Sequence, residues 1–438
     1  MSAHLLNLIH GEKALLEQIC DYTNLYKAFK SVKRNKGAPG IDGITIEEFK
    51  TNLSQELKQI RHEVLTWTYK PTPVKRVEIP KPNGKGVRLL GIPTIKDRVL
   101  HMAIKQILEP ILDPDFSPNS YGFRPGRNQR QAVEAARDII IQGKEYVVDI
   151  DLSKFFDRIN HDRLIHRLGT KIQDKRVLRL IGMILRSGVM SKGIVTTSKE
   201  GSVQGSPLSP LLSNVVLDEL DKELENRGLE FCRFADDCNI FVKTMRAAER
   251  VMESITKFIE SKLKLKVNGE KSQVAKSDRV KFLGMTIVNG SIAIAKASYN
   301  KAMEKIKQLI PRGTHETIRM TIKRVNTWYR GWANYFQMTQ FPAQLAALEA
   351  HIRRRLRARF VRQQKNQRNL VSALVKRGVN KSYANKVVYA NNGPWKLSYT
   401  RVLHTAFPNR WFQETGLLIL SQQEQDHWFH AKKWVKLM

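Results

Sequence analysis

The sequence predicts an α+β protein, with strands and helices mixed in its first two thirds and helices alone in its last third. Up to about residue 290, β-rich runs alternate with amphipathic ones. After about 295 the strands thin out, and apolar residues recur at three- and four-residue steps. The third observation is charge. Lys plus Arg number 75 against 41 Asp plus Glu, a formal net charge of +34 over 438 residues. That length suits two or three domains and a large core. The charge excess is too large for an enzyme of neutral metabolites and points to a polyanionic partner. Nucleic acid is the first candidate and an anionic membrane surface the second.

The elements follow in order. RVEIPKPNGKGVRLLGIP (76–93) reads as a hairpin, with β-rich arms around a Pro-Asn-Gly turn. EYVVDIDL (145–152) reads as a buried strand. ERVMESITKFIESKL (249–263) reads as a helix with Val251, Ile255, Phe258, Ile259 and Leu263 on one face. KLKVN (264–268) and VKFLGMTIV (280–288) read as strands. Ile318, Ile322, Val325, Trp328, Trp332 and Tyr335 mark one helix, and Leu345, Leu348, Ile352 and Leu356 another. Residues 351–377 hold ten Lys or Arg and no acid, and from about 366 Gly and Pro breaks separate short helices.

No apolar run approaches ~18 residues, so no bilayer span and no membrane partner are expected. The N-terminus MSAHLLNLIHGEK lacks the layout of a signal peptide. The three cysteines, Cys20, Cys232 and Cys238, form no C-x-x-C pair, which argues against a cysteine zinc site or a disulfide framework. The expectation is an intracellular, cytoplasmic protein.

CRFADDCNIFV (232–242) is nearly all apolar, yet Asp236 and Asp237 sit in its middle. Two adjacent buried carboxylates repel each other and lose hydration. A hairpin turn can bring both to one mouth, where divalent cations would neutralise them, and Mg²⁺ suits such a site because it keeps positions for water and phosphate. On its own an Asp-Asp pair is more often an exposed turn. VVDIDLSKFFDRINHDRL (147–164) supplies a second strand ending in acid, with Asp151 as the expected ligand and Asp149 and Asp157 as surface or capping acids. Two metal ions ~3.5–4 Å apart, shared by carboxylates from two strands, would serve an in-line phosphoryl transfer.

In their order these blocks resemble the group II intron reverse transcriptases, the intron-encoded maturases, and the compact bacterial members among them. NKGAPGIDGIT (35–45), VEIPKPNGKGVRLLGIPT and SYGFRPGRNQRQA (120–132) are similar to the family's fingers motifs, and VDIDLSKFFD to the palm motif with its first aspartate. GSVQGSPLSPLLSN (201–214), RFADDC, LKVNGEKS (265–272) and VKFLGM (280–285) follow in family order, and VNTWYRGWANYF (325–336) resembles the maturase, or thumb, signature. The resemblance implies a right-hand polymerase, with fingers and palm around an antiparallel sheet over 1–290, a helical thumb over 291–365 and a small DNA-binding domain over 366–438. It implies an RNA-directed DNA polymerase of the bacterial cytoplasm or nucleoid that assists splicing and mobility of a group II intron. Its partners would be intron RNA, an RNA template with a DNA primer, target DNA and dNTPs, and its cofactor two Mg²⁺ ions, with Mn²⁺ as a substitute.

It also implies roles. Asp151, Asp236 and Asp237 are the catalytic metal ligands. Lys81 and Arg88, on the two arms of the hairpin, suit a triphosphate, with Arg able to grip phosphate bidentately; Lys85 reads as solvated. Phe156 resembles the steric gate that leaves no room for a 2′-OH. Gln204 and Gly205 form a tight loop under the nucleotide, and Lys271 resembles the palm lysine near the phosphates. Arg124 and Arg127 belong to a motif that meets nucleic acid, and Arg353, Arg354, Arg355, Arg357, Arg359 and Arg362 would track phosphates along the basic helix, Arg355, Arg359 and Arg362 on one stripe and Arg354 with Arg357 on another.

The chain departs from the family in three places. Phe234 stands for the usual tyrosine, Val203 for a common proline, and Asn128 to Arg130 for a Ser-Cys-His-like run. No endonuclease module with paired cysteines is seen, so target cleavage by this chain is not expected. Two alternatives stay open: a free-standing reverse transcriptase in DNA repair or phage defence, and a protein that is mainly an RNA-binding splicing factor.

Overall fold

The computed structural model describes residues 15–80, 87–191, 194–196, 200–201, 205–364, 366–390 and 392–421. They form two compact units, one within residues 15–139 and 143–276 and the other within residues 140–142 and 277–421.

In the first unit, strands β1 (Val74–Pro80) and β2 (Val87–Ile92) pair antiparallel, as the hairpin motif requires, and the turn between them lies outside the described residues. β1 continues in parallel into β4 (Val189–Ser191), which pairs with β5 (Ile194–Thr196), giving the order β2-β1-β4-β5. The second sheet is antiparallel throughout. β3 (Tyr146–Ile150) lies between β7 (Asp237–Val242) and β8 (Gln273–Lys276), and β6 (Glu230–Phe234) forms the far edge. Val148, Ile150, Cys238 and Ile240 alternate onto one face, as period-two geometry dictates, and join the core of surrounding helices. Helix Ile95–Leu112 runs through that core; Thr94 caps it by accepting from the Asp97 amide.

The predicted helix over 249–263 is present as Met245–Phe258 and a wider turn, Ile259–Leu263, with Ile255, Ile259 and Leu263 buried. The 264–268 segment is not a strand. It is a loop that starts from Lys264 in the left-handed region and touches the sheet through one bridge, Leu152 to Val267. Its composition is β-like because Leu265 and Val267 are buried from the loop itself. Strand β8, which had no clear alternation, was not expected.

In the second unit the predicted strand over 280–288 is shortened to β9 (Met285–Val288). Leu283 (φ 50°) and Gly284 (φ 87°) turn the chain just before it. β9 pairs with β10 (Ser291–Ile294), and Gln344 fastens that hairpin to the helices by accepting from the Ile294 amide and donating to its carbonyl. Helices Lys296–Leu309, Ile318–Phe336 and Pro342–Gln363 follow, then five short ones from Gln367 to Glu414. Leu345, Leu348, Ile352 and Leu356 are buried as predicted. In Ile318–Phe336 the buried line runs through Ile322, Val325, Tyr329 and Ala333, leaving Trp328 and Trp332 half-buried beside it.

Candidate active site

The two aspartates of the apolar stretch interrupt no strand. β6 and β7 are joined by a two-residue turn in which Phe234 pairs with Asp237 and Ala235 and Asp236 form the tip. Ala235 has φ 58°, a left-handed conformation that costs a non-glycine residue about 1–2 kcal/mol. Three features hold the turn. Gly122 lies against it so closely that a Cβ there would meet the Ala235 nitrogen at 2.2 Å. Arg233 donates from Nη1 to the Ala235 carbonyl at 2.9 Å and to Asn214 Oδ1 at 3.1 Å. Asn214 in turn donates to the Gly122 carbonyl at 2.9 Å.

Arg233 is itself fully buried and forms a bidentate pair with buried Asp221, Nε to Oδ1 at 2.7 Å and Nη2 to Oδ2 at 2.5 Å. Burial works against the guanidinium charge, and the Asp221 carboxylate outweighs it and raises the pKa. Asn214 and Asp221 are seven residues apart on helix Ser209–Asn226, two turns along one face, so both reach Arg233. The sequence reading missed this trio. A lone arginine in a buried strand, beside a helix with Asn and Asp on its apolar face, was the available signal.

Asp151 enters from β3. The ladder ends with Ile150 opposite Cys238, so Asp151 directly follows β3 and Asp237 directly precedes that last pair on β7. Its backbone is fixed by the 264–272 loop: the Asn268 amide donates to the Asp151 carbonyl at 2.8 Å, and Ser272 Oγ accepts from the Asp151 amide at 3.0 Å. Lys271 Nζ stands 3.4 Å from both carboxylate oxygens of Asp151. Asp151 and Lys271, each singled out from the sequence for a different role, thus meet. Among the described residues no group of three acidic, Cys or His side chains is drawn together closely enough to hold a metal ion as it stands. The donor set is nonetheless that of a hard cation, carboxylate oxygens from two strands, and the Lys271 ammonium already occupies a cation's place on one of them.

A cavity of about 670 Å³ opens beside the turn, lined in part by Asp236, Phe156, Gly205, Phe123, Arg98 and Lys105. Phe156 follows Lys154, whose φ of 50° starts a short 3-10 turn, and packs edge-on against buried Phe155. Gly205 has φ 120°, and a Cβ there would meet the Gly91 carbonyl oxygen of β2 at 2.3 Å, so the loop needs glycine. The neighbouring Ser206 Oγ is 2.9 Å from His101 Nδ1 on the core helix. Arg98 and Lys105 were not singled out from the sequence. They lie seven residues, two turns, apart on helix Ile95–Leu112, in a segment that reads as core.

Other expected residues lie elsewhere. Lys81, Gln204 and the Arg88 side chain fall outside the described residues; the Arg88 backbone pairs with Ile79. Arg124 turns inward, where Asp113 and the carbonyls of Ser117 and Ser120 take up its guanidinium. Arg127 is half-buried, over the Tyr121 ring. On the basic helix, Arg357 is buried and donates to the Phe407 carbonyl at 2.8 and 3.0 Å. Buried Arg359 donates to Thr321 Oγ1 and the Glu316 carbonyl. These two also leave the expected phosphate-facing set, because their charge satisfies backbone that would otherwise be stranded. Arg353, Arg354 and Arg355 are half-buried and Arg362 is exposed. Cys20, Cys232 and Cys238 are buried free thiols, with burial pushing Cys20 and Cys232 up to about 12.

Comparison with known proteins identifies the family. Residues 79–287 match the family described as reverse transcriptase (RNA-dependent DNA polymerase), and residues 299–378 match the group II intron, maturase-specific domain. The chain is 32% identical over 315 residues to Protein YkfC of Escherichia coli (strain K12), covering 63% of this chain and 82% of YkfC. It is 28% identical over 360 residues to the group II intron-encoded protein LtrA of Lactococcus lactis subsp. cremoris, covering 67% of this chain and 59% of LtrA. Among solved structures, a partial Cas6-RT-Cas1–Cas2 complex is 26% identical, over 57% of this chain and 43% of that one, with a TM-score of 0.38. The chain belongs to the group II intron type of reverse transcriptase, an RNA-directed DNA polymerase with the right-hand fold followed by a maturase-specific domain. Members of this family use divalent metal and bind RNA. Among the described residues no helix is long and apolar enough to cross a membrane.

Proposed function

We propose that this chain copies an RNA template from a DNA primer with dNTPs, using two Mg²⁺ ions (or Mn²⁺) held by Asp151, Asp236 and Asp237. We propose also that it binds group II intron RNA and assists its splicing and its insertion into target DNA, in the bacterial cytoplasm. The functional division is 1–290 for fingers and palm, 291–365 for the thumb and 366–438 for DNA binding, with hairpin β9–β10 spanning the first boundary.

The observation that carries the reading is the register. It ends with Ile150 opposite Cys238, so Asp151 follows directly on β3 where Asp237 opens β7, and Asp236, at the adjoining tip, lines a cavity of about 670 Å³; this supports the three as one site. When bound, the two ions supply the positive charge that activates the primer 3′-hydroxyl and steadies the departing pyrophosphate. The chain's own residues do the rest. Phe156 fills the space beside the sugar, and Gly205 lets the loop approach β2 and floor the site. Arg98 and Lys105 present positive charge to the cavity. Lys271 holds the Asp151 carboxylate and can turn to a phosphate, being well exposed.

The test is primer extension on an RNA template. Asp236→Asn and Asp151→Asn should each remove nearly all Mg²⁺-dependent extension while RNA binding, measured in parallel, stays within about twofold. Extension at the wild-type rate by either variant sinks the assignment.

A further inference from the structure

The second unit has a cavity of its own, of about 600 Å³. Six cations line it, Lys307, Arg312, Arg355, Arg359, Arg362 and Lys396, and no acidic side chain lines it among the described residues. Trp395 forms one wall and remains 43% exposed. The indole is held in place: the Arg354 guanidinium stands 3.9 Å over the ring and His351 meets it edge-on at 5.7 Å. An anchored aromatic beside clustered cations is the pairing that binds a base by stacking and its phosphate by charge. A solvated basic face has neither the concavity nor the ring.

The cations are set in place by other bonds. Arg355 donates to the Ile310 carbonyl at 2.8 Å, capping the end of helix Lys296–Leu309. The Nε of Arg355, the Nε of Arg359 and the Nε2 of His351 are buried without a protein partner, and all three residues line this cavity. Burial, and then the neighbouring Arg355, Arg354 and Lys307, pull the His351 imidazole down to about 4, so it remains neutral at pH 7. Buried guanidinium donors without acceptors cost free energy unless something supplies an acceptor, and phosphate oxygens are the acceptors that six cations would attract.

We propose that this cavity is a nucleotide pocket, taking one nucleotide with its base against Trp395 and its phosphate among Arg312, Arg355, Arg362 and Lys396. The nucleotide is either one residue of a bound single strand or a free mononucleotide. Only the first source rests on the reading of the chain as a nucleic-acid enzyme.

The test uses the full chain without divalent metal. Adenosine 5′-monophosphate is titrated calorimetrically, and a labelled 12-nucleotide RNA is followed by anisotropy across a salt series. Trp395→Ala should weaken AMP binding about 5- to 150-fold, the ~1–3 kcal/mol of one stacked base, and Trp395→Phe should restore most of it. The double Arg312→Gln/Lys396→Gln, at two exposed positions, should flatten the plot of log affinity against log salt by about 1.4, roughly 0.7 for each phosphate contact with a single strand. A strand is the source if the RNA displaces AMP and shows the same Trp395→Ala loss; a free nucleotide is the source if only AMP does. An unchanged AMP affinity in Trp395→Ala overturns the proposal, whether or not the salt slope moves. Single-nucleotide addition to saturating primer-template, measured on the same proteins, should stay at wild-type rate. Asp236→Asn should bind AMP normally, so pocket and polymerase can fail separately.

Discussion

Arg233 shows how a residue remote from the reacting atoms can govern them. Its guanidinium satisfies Asp221, Asn214 and the Ala235 carbonyl together, so the strained turn under Asp236 is held by a buried ion pair. Arg233→Met should cost about 3–5 kcal/mol, because it strands Asp221 without a partner. The double Arg233→Met/Asp221→Leu should recover most of that in urea unfolding, since an apolar pair of similar volume removes both charges. Single-nucleotide addition should stay depressed in both, because the turn has still lost its donor; recovery in the double would show that the turn needs no such donor. Phe156 invites a second residue-scale test. Phe156→Ala should raise NTP incorporation relative to dNTP by about tenfold or more, the ~1.4 kcal/mol scale of one removed clash, and an unchanged ratio places the gate elsewhere. The aspartates were legible because acid in an apolar run is physically anomalous. Arg233 carries the same anomaly, but its partner sits on another element, and no spacing rule links the two.

At the scale of elements, periodicity gave the core faces and composition misassigned what tertiary contacts decide. The line Leu345, Leu348, Ile352, Leu356 was readable because it repeats along one helix. That Arg357 and Arg359 point inward was not, because the groups they satisfy lie on segments distant in sequence: the Phe407 carbonyl, Thr321 and the Glu316 carbonyl. Burial pulls the Arg357 guanidinium down to about 10, with Arg353 adding to the effect. Arg357→Gln should therefore destabilise the protein by about 1–3 kcal/mol in urea unfolding and leave the salt dependence of RNA binding unchanged. Arg362→Gln should do the opposite, leaving stability within about 0.5 kcal/mol and lowering the salt slope by roughly 0.7–0.9. Similar slopes for the two variants would put Arg357 back among the phosphate contacts. The 264–268 loop makes the same point, since buried Leu265 and Val267 look like strand residues whatever backbone carries them.

For the whole molecule, the net charge of +34 pointed to a polyanion before any motif was considered, and the family match supplies the reason. How the chain divides was less legible, because the boundary near 276 carries no linker composition and hairpin β9–β10 packs with the helices after it. Acid stability is a property of the whole first unit. Burial pulls His101 from 6.5 down to about 4. The unfolded chain therefore takes up a proton below about pH 6.5 that the folded one refuses until about pH 4, and stability falls as pH drops through that window. By linkage this one group should remove about 2 kcal/mol between pH 7 and 5. His101→Asn should flatten that limb in urea titrations at the two pH values. If the wild type and the variant lose the same stability, the acid limb belongs to other groups.

The contact between Gly205 and the Gly91 carbonyl has a mechanical meaning. Main chain rests on main chain there, and no rotamer lies between them to absorb a displacement. The floor of the cavity and the β1–β2 hairpin are geared together, and through Ser206 and His101 the train continues into the core helix. Any shift of the hairpin would carry the floor with it. A pair of the wrong shape seated on that floor would push back on the hairpin, so fit at the floor would be felt along the train, beyond the atoms that touch the base.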